Sequence, residues 1–265
     1  MVAKPWEERF DFYSEQTPEG PVLVLADLAA EAHAPLASHP VRIRVVVPMQ
    51  QPQANGLRSS EEAPALFALE ERLVAALGAL GALYVGRLVT QGKTVLCFYV
   101  PPAVTAEEAQ RAAASVRGPY ELQVKRSEDP AWVAYLEELL PRPLQRQLMA
   151  NRGVLDSLAR NGDRHELPRE VDHFAYFPSA ESAWHAAAAL EAKGFAVQPP
   201  KPAADGGAQW ALGFTRTDTL ADGRADEVTA EVLAVVDALG GHYDGWGCVV
   251  QKAKPGLLKR LMGRS

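Results

Sequence analysis

The chain has 265 residues, 48% hydrophobic and 23% charged, with a formal net charge of -6, the makeup of a globular protein of one large or two small domains. This acidity argues against general nucleic-acid affinity, which needs clustered Lys and Arg, and favours basic partner surfaces. The longest apolar run, residues 73–86, is too short to cross a bilayer, and the first ten residues lack the apolar core of a signal peptide, so a soluble cytoplasmic protein with no membrane association is expected.

In chain order, FDFYSEQTPEGPVLVLADL reads as a hairpin and VRIRVVVP (41–48) as a strand. Residues 61–81 place Leu66, Leu69, Leu73 and Leu77 on one helical stripe. LYVGRLVT and TVLCFYVP form a second hairpin across Gln91-Gly92-Lys93. TAEEAQRAAASVRG is a helix capped by Thr105, YELQVKR is a closing strand, and residues 129–140 add a helix.

From Arg142 to Arg164 five arginines face only Asp156 and Asp163. Leu144, Leu148, Leu155, Leu158 and Ala159 recur there at helical spacing, so a linker helix is expected to end at the Asn161-Gly162-Asp163 turn. Beyond it, residues 166–252 hold thirteen acids against six bases. VDHFAYFP (171–178) is a strand. The alanine-rich stretch 179–194 is a helix starting at Ser179 and stopping at Gly194. FAVQP is a short strand, and Trp210, Leu212 and Phe214 alternate along the next one. A helix over about 224–239 and the strand YDGWGCVVQ complete the set.

Both parts read βαββαβ, an α+β class of two tandem ferredoxin-like sandwiches, each an antiparallel sheet with helices on one face. The divisions are 1–141, a helical linker 142–165, a second domain 166–252 and a basic tail 253–265.

Convergent chemistry is sparse. The histidines at 33, 39, 165, 173, 185 and 242 show no metal-ligand spacing. His173 with Asp172 and His242 with Asp244 lie on strands that this topology makes neighbours, which leaves a His/Asp cluster open. There is no nucleophile elbow and no phosphate loop, and Cys97 and Cys248 sit in apolar runs as inert reduced thiols. No catalytic residue, metal or cofactor is therefore assigned. The same βαββαβ order serves the RNA recognition motif, but KTVLCFYV and AQWALGFTR lack its basic and stacked aromatic array.

LGGHYDGWGCVV (239–250) interrupts a hydrophobic strand with glycines, aromatics and an aspartate. Plain alternation puts His242, Asp244, Trp246, Cys248 and Val250 on the core face and Tyr243, Gly245, Gly247 and Val249 on the other. In a 4-1-3-2 sheet this strand is an edge, where interior glycines mark either a bulge or the approach of another backbone.

With VDHFAYFPS at 171–179, the W-x-L-x-F strand at 210–214 and GGHYDGWG at 240–247, the second part resembles the RraB family, regulators that inhibit ribonuclease E. The first part, through Trp6, Pro21, residues 56–61 and YVGRLVTQGKTVLCFYV, resembles a bacterial family of unknown function found beside that domain. The resemblance implies a non-enzymatic protein that binds the basic scaffold half of ribonuclease E and so modulates RNA decay. Candidate contact residues on the open sheet face and its rim are Asp172, Asp222, Asp226, Glu227, Tyr243 and Asp244. A small-ligand sensor with an interdomain pocket is the alternative. Homodimer pairing through an exposed edge strand stays open.

Overall fold

Alternation builds an interior strand of the first sheet. Val41, Ile43, Val45 and Val47 are at most 1% exposed, while Arg42, Arg44 and Val46 between them are half-buried. Residues 4–204 and 209–252 are described by the computed structural model, and they fall into two units, to Gln145 and from Arg146 onward.

The first unit runs β1 (Phe10–Thr17), β2 (Gly20–Asp27), β3 (Val41–Pro48), α1 (Ala63–Gly78), β4 (Leu83–Thr90), β5 (Lys93–Val100), α2 (Ala106–Ser115) and β6 (Gln123–Glu128). The strand order is β1-β2-β4-β5-β3-β6, with antiparallel pairing throughout. Taken from β3, this is the expected βαββαβ sheet, extended at the β4 edge by the N-terminal hairpin. Leu66, Leu69, Leu73 and Leu77 of α1 enter the core, each contributing about 1.5–3 kcal/mol by burial. Thr105 closes a capping box with Glu108 at the start of α2. Gln91 and Gly92, both at positive φ, make the tight β4–β5 turn whose twist matches the strands.

The opposite face of this sheet is also covered. Trp132 stacks on Tyr99 of β5 with ring centroids 4.0 Å apart, and its indole donates to the His39 carbonyl at 2.9 Å. Asp129 accepts the Tyr99 hydroxyl at 2.6 Å. The segment expected as a plain helix after β6 contains a π-helical turn, Ala134–Leu139. Its Tyr135 hydroxyl donates to the Asp27 carbonyl at 2.6 Å.

The second unit contains α3 (Pro143–Arg160) from residue 146 onward, then β7 (Arg169–Phe177), α4 (Ala180–Glu191), β8 (Ala196–Val197), β9 (Lys201–Pro202), β10 (Trp210–Asp218), α5 (Arg224–Ala238) and β11 (His242–Cys248). The order is β11-β7-β10-β8, with β9 also on β10, the 4-1-3-2 arrangement with β11 at an edge. Ser179 caps α4. Phe177, Leu190, Phe214, Val232 and Val236 lie at the centre of its core.

The expected linker helix is corrected here. Leu158 is buried in a cluster with Val171, Leu220 and Ala225, against which Val154, Leu155, Trp246 and Cys248 pack. The apolar stripe of α3 therefore completes the core beside β11, and α3 is a structural element of the second unit. The basic tail 253–265 lies outside the described residues.

Candidate functional site

The Tyr-Asp-Gly-Trp corner is a β-bulge. Tyr243 pairs with Ala175 and Gly245 with the next residue along β7, Phe174, so Asp244 is the extra residue. The insertion resets the alternation. Tyr243 and Trp246 consequently both face the helices, and Tyr243 is 2% exposed. The expectation that Tyr243 belongs to a binding rim on the open face is overturned for this reason. His242 pairs with Tyr176, whose neighbour Ala175 is on the core side, so His242 and His173 occupy opposite faces and the His/Asp cluster does not form. Gly245, at φ +116°, supplies the backbone turn that the bulge needs.

Both aromatics feed one buried polar chain. The Trp246 indole donates to Asn151 Oδ1 at 2.7 Å. The Asn151 amide donates to Asp226 Oδ1 at 2.8 Å and to Thr229 Oγ1 at 2.9 Å. Thr229 in turn bonds the Tyr243 hydroxyl, which lies 2.7 Å from His173 Nδ1. Burial, then the charge of Arg216, lowers the His173 pKa to about 4, which keeps the ring neutral. The cavity beside it, lined by His173, Asp218, Leu220 and Trp246 among others, measures about 10 Å³, the size of one water and too small for a substrate. This constellation holds α3, α5, β7 and β11 together.

The open face of the sheet has a different character. Along β7, Glu170, Asp172 and Phe174 are exposed and alternate with buried Val171, His173 and Ala175. Phe174, 51% exposed, has Gly213 of β10 and Gly245 of β11 as its cross-strand partners. Asp172 lies between Thr215 and Gly247, and Tyr176 between Ala211 and His242. A carboxylate and two aromatic rings thus have glycine, alanine, threonine and histidine as cross-strand neighbours.

Of the predicted acids, Asp172 belongs to this face and Asp244, exposed, to its bulged edge. Asp222, Asp226 and Glu227 cluster instead at the start of α5. There Asp226 is engaged by Asn151, and Glu227 accepts from Arg224 at 3.1 Å. Sequence reasoning missed Phe174 and Asn151. The signal for Asn151 was an amide on the apolar stripe 144, 148, 151, 155, 158. Among the described residues no group of His, Cys, Asp and Glu could hold a metal ion, and no helix is long and apolar enough to cross a membrane.

The family model described as "Family of unknown function (DUF695)" matches residues 8–140, half of the chain. The chain belongs to the DUF695 family. Residues 148–248 match the model for RraB, "Regulator of ribonuclease activity B", and this match takes in most of α3, as the packing does. Both resemblances stated from the sequence are therefore found, with the DUF695 unit first and the RraB unit second. No curated protein matches the chain. Among solved structures, an unknown protein from Galdieria sulphuraria is 13% identical at a TM-score of 0.23, covering 80% of this chain and 99% of its own. A structure presented as a glycine cleavage system transcriptional repressor is 7% identical at a TM-score of 0.26, covering 80% of this chain and 98% of its own. The fold assignment rests on the strand orders described above.

Proposed function

We propose that this protein is a non-enzymatic regulator that binds a ribonuclease through the open sheet face of its RraB unit, with the basic scaffold region of ribonuclease E as partner. The observation that carries the reading is Phe174, half-exposed at the middle of the central strand with a glycine on each side. The exposed ring offers a partner side chain apolar area, flanked by the Gln198 side chain that lies over Gly213. The exposed carboxylates Glu170, Asp172 and Asp244 around it suit a partner segment rich in Lys and Arg. Asp222, Asp226 and Glu227 form a secondary acidic patch, and Tyr243 acts from the core by fixing the bulge. Action in the cytoplasm follows from a partner of this kind.

The test is a cleavage assay with ribonuclease E and a structured RNA. The chain is expected to slow cleavage, and the Phe174→Ala variant, altered only at an exposed ring, is expected to lose most of that effect. Equal inhibition by both proteins would remove the sheet face from the reading, and no inhibition by either would remove the partner.

A further inference from the structure

The RraB match leaves the DUF695 unit without an assigned role, and its helix face carries a pair of cations that share one carboxylate. Arg58 and Arg87 converge on one carboxylate, Glu70. Arg58 Nη2 lies 3.4 Å from Oε2, and Arg87 Nη1 and the Tyr84 hydroxyl both donate to Oε1. The three charged side chains are only 8%, 14% and 9% exposed. Two guanidiniums against one carboxylate leave a net positive charge in a half-desolvated place, inside a chain whose overall charge is -6. Burial and the repulsion of Arg87 both push the Arg58 pKa down, as an excess of positive charge requires.

Arg58 Nε is spent on Thr94 Oγ1 at 3.2 Å. Arg87 Nη1 donates to Glu70, and the Tyr84 hydroxyl also draws on the Arg87 guanidinium, while none of its nitrogens is a fully buried atom short of a partner. The Nε–Nη2 edge of a guanidinium matches a carboxylate side-on and bidentately. Beside it, Phe67 of α1 is 45% exposed and carries the Arg58 and Arg87 guanidiniums 4.8 Å and 5.3 Å from its ring centroid. The strand register continues the row outward, because Arg87 pairs with Leu25 and Leu25 with Phe12, itself 48% exposed at the sheet edge. A pre-positioned arginine edge next to an exposed apolar row has the makeup of an interface hot spot.

We propose that Arg87, Arg58 and Phe67 form a docking site for an acidic peptide segment of a partner protein, a carboxylate taking the side-on edge of Arg87 and an apolar side chain lying on Phe67. Charge complementarity selects this occupant, since a basic segment would meet the excess cation and a neutral one would leave the arginine edge unpaired. The site is separate from the ribonuclease-binding reading and stands without it.

The test is fluorescence anisotropy of the full chain with a labelled peptide alternating Glu and Phe, against the Gln-for-Glu peptide and with inorganic phosphate as competitor. Saturable binding of the acidic peptide is expected, about tenfold or more weakened by Gln-for-Glu exchange, by Arg87→Lys, which keeps the charge facing Glu70, and by Phe67→Ala. Phe174→Ala is expected to leave this affinity unchanged. No binding, equal binding of the Gln peptide, or wild-type affinity in both folded variants would overturn the proposal. So would displacement by phosphate at concentrations comparable to the peptide, which would mark a simple anion site. Phe67→Ala carries the test should Arg87→Lys fail to fold.

Discussion

Asn151 is the junction through which α3 belongs to the RraB unit, and its removal has a calculable cost. The residue is 2% exposed and makes bonds of 2.7, 2.8 and 2.9 Å to Trp246, Asp226 and Thr229. Asn151→Ala strands the Trp246 indole and removes a donor from Thr229, while half-exposed Asp226 recovers water. At about 1–3 kcal/mol for each of the two groups left short, the loss comes to roughly 2–6 kcal/mol. For a unit of this size that lowers Tm by roughly 8–24 °C. Thermal and urea unfolding of the full chain measure the change, and hydrogen exchange in the 242–252 peptide separates it from unfolding of the DUF695 unit. Ser157→Ala, on the exposed side of the same helix, is expected to stay within about 0.5 kcal/mol. A loss below about 1 kcal/mol in Asn151→Ala would refute the argument and restore α3 to the status of a linker.

Two further outcomes follow from buried ionisable groups. His173 has a folded pKa of about 4, below its ordinary 6.5, so protons bind the unfolded chain first and stability falls as pH drops from about 6.5 towards 4, by roughly 3 kcal/mol in all. His173→Phe is expected to flatten that part of the stability–pH curve measured by urea titration, and an unchanged curve would contradict it. Asp163 and Arg169, both with side chains 0% exposed, form a pair that also takes the Gln251 amide at 2.6 Å. Asp163→Asn leaves a buried guanidinium unpaired and is expected to cost about 3–5 kcal/mol in the same assay, whereas a loss under 1 kcal/mol would show the pair to be hydrated.

Much of the fold was legible because its signals are local. The Val41–Val47 alternation, the α1 leucine stripe, the Thr105 and Ser179 caps and the Gln91-Gly92 turn each act within a few residues, and each occurs where the pattern placed it. The glycines of the last strand also marked a bulge as one of two readings, and the bulge is present. What escaped depends on distant pairing: the inserted residue is Asp244 because Tyr243 and Trp246 both have buried partners on other elements, His173 and Asn151, and period-two alternation alone does not locate it. Proline and arginine around α3 suggested a linker, yet its stripe 144–158 was the stronger signal, since an apolar helix face needs a surface to cover. The prominence of Phe174 likewise arises across strands, from glycines 39 and 71 positions further along the chain.

Ribonuclease binding by the open sheet face is measured by calorimetric titration of the chain and its Phe174→Ala variant with the scaffold half of ribonuclease E, at low and high salt. Binding is expected to saturate, to weaken with salt and, at either salt, to be at least about tenfold weaker in the variant. Absence of binding, or equal affinity for both proteins, would contradict ribonuclease binding by that face.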